Sequence, residues 1–190
     1  MSGEARPAPS LETARLLLRP FQPSDAQDVA RWCGERAVAD TTLNIPHPYT
    51  LADAEAFIAR HPERWANGTG LTLAVTQRES GALIGAVGLT ITAEHRRAEL
   101  GYWIAPPLWN RGLATETAGA LLTWAFGPGG LHRVMARHLV RNPSSGRVMQ
   151  KLGMIREGQQ REHVMKWDVF ETLEVYGILE SEWRAPRGPY

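Results

Sequence analysis

GYWIAPPLWNRGLATETAGALLTWAF, residues 101–126, runs from an apolar strand pattern through a Pro-Pro turn into a long helix. Pro106 and Pro107 cannot donate to a ladder and end the strand. From Gly112 onward Leu113, Ala114, Ala118, Leu121, Leu122 and Trp124 recur at helical spacing, until Gly127-Pro128-Gly129-Gly130 stops the helix. A helix start leaves unpaired N–H groups and a partial positive charge, which together make an anion site. Gly112 lets the backbone approach a ligand, Ala114 leaves the next turn unobstructed, and Arg111 adds a full charge, so phosphates are the natural guest. A tight turn with Trp109 as a core plug uses the same residues.

Working outward, Leu71–Gln77, Ala82–Ile91 and Ala98–Ala105 give three short strands at hairpin spacing before this helix. Leu11–Phe21 reads as an earlier strand ending at Arg19. Helices follow after Ser24 or Asp25, with Val29, Trp32 and Cys33 on one face, and after Thr50, with Leu51, Ala54, Phe57 and Ile58 as the stripe. Downstream, His132–Val140 reads as a strand, Pro143–Leu152 as a short helix, and Met154–Gln160 and Leu173–Trp183 as the last strands. A meander followed by a strand-helix-strand crossover predicts an α/β fold, a mixed, mostly antiparallel sheet of about seven strands flanked by about four helices. One domain is expected over residues 11–184, with loose tails at 1–10 and 185–190.

A net charge of +1 and 43% hydrophobic residues argue for a folded protein that is not a general nucleic-acid binder. Charge is uneven, however: Arg96 to Arg156 holds nine basic residues against Glu99 and Glu116, which favours a compact polyanion or a solvated basic surface. The single cysteine, Cys33, has no internal partner, and no Cys/His spacing suggests a metal. No apolar run suits a bilayer or a secretory leader, so a cytoplasmic protein without membrane attachment is expected. The six histidines, His47, His61, His95, His132, His138 and His163, read as structural or surface residues.

Trp109-Asn110-Arg111-Gly112-Leu113-Ala114-Thr115-Glu116 resembles the pyrophosphate loop of the GNAT N-acetyltransferases, in the form found in the ribosomal-protein N-terminal (alanine/serine) acetyltransferase branch. Trp109 stands where the generic pattern has Gln or Arg. LETARLLLRPFQPSDA, AELGYWI, NPSSGRVMQKLGM and the segment Tyr176 to Trp183 fall in that branch's order, so the resemblance spans about Leu11 to Trp183. It implies a GNAT-like fold and an acyltransferase that carries acetyl from acetyl-CoA to a primary amine, foremost a protein N-terminal α-amino group. Alternatives are a small-molecule or antibiotic amine as acceptor, and a non-catalytic acetyl-CoA-binding sensor. The branch also pairs as homodimers.

By the same resemblance, Trp103, Ile104 and Ala105 hold the pantetheine arm and supply an oxyanion N–H. The loop Trp109, Asn110, Arg111, Gly112, Leu113, Ala114 and Thr115 grips the diphosphate. Glu99 is the candidate base, with pairing to Arg96 or Arg97 as the other reading of its carboxylate. Asn142 and Ser145 face the thioester, although either also suits a helix cap. A Tyr commonly follows that Asn by seven residues to protonate the thiolate; here the position is Met149, which moves the general acid to Ser145 or to no dedicated group. Asn44, His47 and Tyr49, with the stretch His163 to Asp168, are candidates for the acceptor pocket.

Overall fold

The computed structural model describes residues 7–185, so parts of both expected tails, residues 1–6 and 186–190, lie outside the described residues. Eight strands form one sheet in the order β1-β2-β3-β4-β5-β6-β8-β7. They are β1 (Leu11–Glu12), β2 (Leu16–Pro20), β3 (Gly70–Gln77), β4 (Leu83–Thr92), β5 (Arg97–Ile104), β6 (Arg133–Leu139), β7 (Ile155–Lys166) and β8 (Val169–Leu179). All neighbours are antiparallel except β5 and β6, joined by the crossover through helix α5. The helices are α1 (Ala26–Gly34), α2 (Arg36–Thr41), α3 (Leu51–Ala59), α4 (His61–Ala66), α5 (Leu113–Phe126) and α6 (Pro143–Lys151). The α/β class and mixed sheet agree with expectation. The differences are the short β1, which splits off the first strand, and α2 and α4, whose six residues each are too few to show a periodic stripe.

Alternation along the central strands divides the interior into two layers. Leu73, Val75, Val87, Leu100 and Ile104 pack with Ala118, Leu121 and Leu122 of α5 on one face. Ala74, Ala86 and Trp103, one position out of phase, pack with Val29 and Cys33 of α1 and Ala54 and Ile58 of α3 on the other. The alanines of this second face leave room for α1 to lie close to the sheet. Thr50 starts α3 with a capping box: Asp53 N–H donates to its Oγ1, and Asp53 Oδ2 accepts from its N–H at 2.8 Å.

The sheet is split where β5 and β6 meet. Their parallel register runs only from Arg97↔Arg133 to Leu100↔Ala136, while β5 stays paired with β4 through Ile104 and β6 with β8 through Leu139. Beyond Leu100 the strands diverge, and the sides of Gly101–Ile104 and Arg137–Leu139 that would face one another border a gap. Gly146 lets α6 come down beside this gap, since a Cβ there would meet His138 Nε2 at 2.7 Å.

Candidate active site

Two clefts border the split. One, about 340 Å³, is walled by Trp109, Asn110, Gly112, Ala114 and Thr115 of the loop before α5 and by Asn142, Arg147 and Lys151 at α6. The other, about 360 Å³, is walled by Thr42, Asn44, Tyr49, Arg60, Glu99 and Arg137 among others. Thr41, Thr42, Tyr102, Trp103 and Ser145 belong to both walls. The clefts therefore meet at Tyr102 and Ser145, and a group entering one cleft can touch a group entering the other.

The first cleft fits a diphosphate and its arm. Gly112 is the N-cap of α5 in the left-handed region, φ 76° and ψ 0°, and no side chain caps the helix. The first turn of this 14-residue helix is thus open to an anion, with Arg147 and Lys151 on the opposite wall. Asn110 is left-handed too, at φ 61°, which turns the loop around the helix mouth. Trp109 is neither plug nor free ligand: its indole Nε1 donates to Ile104 O at 2.6 Å and closes the Pro-Pro turn. Arg111 lies in the loop but outside the cleft wall, its carbonyl accepting from Arg15 Nη1 at 3.0 Å. Ala105 is fully buried and its N–H donates to Ile84 O at 2.7 Å, so that N–H is committed to the sheet; Trp103 and Ile104 remain in the wall.

Glu116, completely buried in the first turn of α5, anchors the loop. Thr13 Oγ1, Arg15 N–H and Arg15 Nε donate to its carboxylate at 2.6, 3.0 and 2.7 Å. Arg15 thereby ties the end of the loop, at Arg111 O, to the helix behind it. Sequence reading gave Glu116 no role, because its partners lie about a hundred residues earlier. Replacing Glu116 with Ala should lower stability by about 2 kcal/mol, less than for a fully enclosed pair since solvent screens Arg15, whose side chain is 42% exposed. Thermal melting checks this, and calorimetry with coenzyme A should show weaker binding as the loop loosens.

At the junction, the Tyr102 and Ser145 hydroxyls share a hydrogen bond of 2.9 Å in which either can donate, and Ser145 O, 3.2 Å from Tyr102 Oη, is the other acceptor within reach of the single phenolic hydrogen. Burial pushes the Tyr102 phenol up to about 12, so it stays protonated. Asn142 caps α6, its Oδ1 accepting from Ser145 N–H at 3.4 Å while Nδ2 donates to Thr41 O at 3.0 Å. Both ends of its amide are thus used in holding Ser145 and the wall at Thr41. Met149 is buried in the core and reaches the second cleft, with no hydroxyl to offer.

In the second cleft Glu99 pairs with Arg137, not with Arg96 or Arg97: Arg137 Nε and Nη2 donate to its two oxygens at 2.9 and 3.0 Å. Asn44 and Tyr49 line this cleft. Asp168 is in the two-residue turn between β7 and β8, at φ 60°, and outside both walls. The hairpin contributes through Lys166 instead, whose buried Nζ donates to Thr42 O and Ile45 O and fixes the loop that walls the second cleft. Among the described residues no cluster of His, Cys, Asp and Glu forms a metal site, and no helix is long and apolar enough to cross a membrane.

Comparison with known proteins agrees with this geometry. Residues 15–155 match the family model of the acetyltransferase (GNAT) domain. The chain is 32% identical over 174 residues to the uncharacterized N-acetyltransferase YnaD of Bacillus subtilis, covering 91% of this chain and 98% of the relative. It is 28% identical over 102 residues to the ribosomal-protein-serine acetyltransferase of Escherichia coli, covering 53% of this chain and 57% of that one. The crystal structure of a GNAT-family acetyltransferase from Bacillus anthracis superposes with a TM-score of 0.81 at 26% identity, over 92% of this chain and 100% of that one. With an uncapped helix mouth and a second cleft meeting beside a split sheet, and a family match over most of its length, the chain belongs to the GNAT family and is an acetyl-CoA-dependent N-acetyltransferase.

Proposed function

We propose that the acceptor is the α-amino group of a protein N-terminus. The observation that carries this reading is the meeting of the clefts at Tyr102 and Ser145, with an acceptor side that opens to the surface and can admit the end of an extended chain. The whole-length sequence pattern and the likeness to a ribosomal-protein-serine acetyltransferase support it. Bound acetyl-CoA supplies the acyl group and a thiolate leaving group.

The loop from Trp109 to Thr115, with Arg147 and Lys151, holds the diphosphate, and Trp103 and Ile104 border the arm. Ser145, kept in place by its Asn142 cap, offers its hydroxyl to the departing sulfur. Glu99 receives the amine's proton through water: each of its oxygens keeps a lone pair beside the Arg137 bond. Glu99→Gln should lower kcat/KM about 10- to 30-fold at neutral pH, below the usual range for a general base because Arg137 shares the carboxylate. The loss should shrink at alkaline pH, where the acceptor is already a free amine. A deficit constant across pH would remove Glu99 from the proton path.

The function itself is tested by mass spectrometry of peptides incubated with enzyme and acetyl-CoA. The expected product carries one acetyl group on the α-nitrogen of an unblocked peptide and none on internal lysines. Acetylation confined to lysine side chains or small amines would overturn the N-terminal assignment.

A further inference from the structure

The acceptor cleft is unevenly charged. Among the described residues that line it the only carboxylate is Glu99, and both oxygens of that group accept from Arg137, so an incoming ligand meets a nearly neutral pair. His138 is in the same wall, with Nε2 3.5 Å from Glu174 Oε2. Cys33 and Tyr49 are neutral there, since burial pushes each up to about 12. Arg60, the exposed C-cap of α3, has its guanidinium carbon 5.0 Å from the Phe57 ring centre and makes no ion pair among the described residues. Asp53, at the other end of α3, accepts from Thr50 and keeps its charge, but it is outside the cleft wall. Arg60 is thus the cation of this wall that no carboxylate pairs with directly among the described residues.

An amine arrives as an ammonium. A polyamine brings further cations and needs several carboxylates to hold them, whereas this cleft has one that is already paired. An amine with an anion a few bonds away is matched: the ammonium lies toward Glu99 and the anion toward Arg60. We propose that the acceptor is an amine bearing an anionic group close to the reacting nitrogen, as in a peptide with acidic residues just after its N-terminus. This rests on the acetyltransferase reading and narrows its substrate class.

The test is thiol release by the purified enzyme with acetyl-CoA and peptides alike except for residues two and three: Ser-Asp-Glu, Ser-Gly-Gly and Ser-Lys-Lys, each amidated. Free Ser-Asp dipeptide and spermidine complete the panel. The acidic peptide should exceed the basic one in kcat/KM by roughly 10-fold, the combined worth of a partly screened attraction in one and a repulsion in the other, and spermidine should give no turnover. Turnover of the dipeptide at a similar rate would identify small anionic amines as the source; its absence would identify polypeptide ends. Arg60→Glu should reverse the order of acidic and basic peptides. Turnover without charge preference, preference for spermidine, or an order unmoved by Arg60→Glu would overturn this inference and leave the acetyltransferase reading intact. No turnover with any amine, despite coenzyme A binding, would overturn both.

Discussion

Gly112→Val should weaken coenzyme A binding at least about 100-fold while leaving the protein folded. Gly112 has φ 76°, where a β-branched residue is strongly disfavoured. Space is not the obstacle, since the nearest atom to a Cβ there is Arg15 Nη2 at 3.7 Å, an ordinary contact. The strain would relax by turning the peptide planes around residues 111–113 and swinging the N–H groups away from the helix mouth. Losing two hydrogen bonds to a charged phosphate, at about 1.5–3 kcal/mol each, corresponds to 100-fold or more in affinity. Gly112→Ala keeps the same φ requirement with a smaller side chain and should cost about 1–2 kcal/mol, an intermediate loss. Calorimetric titration with coenzyme A measures both, and circular dichroism confirms the fold. Near-native affinity for Gly112→Val would mean that the diphosphate lies elsewhere.

The loop could be read in the sequence because all its determinants are local: a Pro-Pro stop, a glycine at a helix start and the periodicity that follows. The same holds for the meander and for the start of a helix after Thr50. What escaped was set by contacts between distant segments. Glu116 is explained by Thr13 and Arg15, Glu99 by Arg137, and Ser145 by Tyr102, 43 residues earlier. Asp168 drew notice as a carboxylate near the last strand, but its left-handed backbone belongs to a tight hairpin turn, and Lys166 two residues before it is the side chain that turns inward to the acceptor wall. The early helices showed their stripes where they are nine residues long and not where they are six.

Tyr102 also bears on the missing hydroxyl at Met149. Ser145→Ala should lower kcat roughly 100-fold with little change in acetyl-CoA affinity, because its hydroxyl engages the sulfur only as negative charge develops there. Tyr102→Phe should lower kcat about 30-fold through Ser145. With its phenol at about 12, Tyr102 is protonated throughout the assay range, and when its one hydrogen turns to Ser145 Oγ instead of Ser145 O the serine hydrogen is left to point at the sulfur. Complete proton transfer from Tyr102 to a thiolate is uphill, because burial raises the phenol above the range of an ordinary alkyl thiol. Its part is therefore to orient and polarise the serine, not to surrender its own proton. Two hydroxyls acting as one chain predict non-additivity: the double variant should be about as slow as Ser145→Ala alone. If the two losses multiplied, or if Tyr102→Phe kept full kcat, Tyr102 would be a packing residue and Ser145 would act without it.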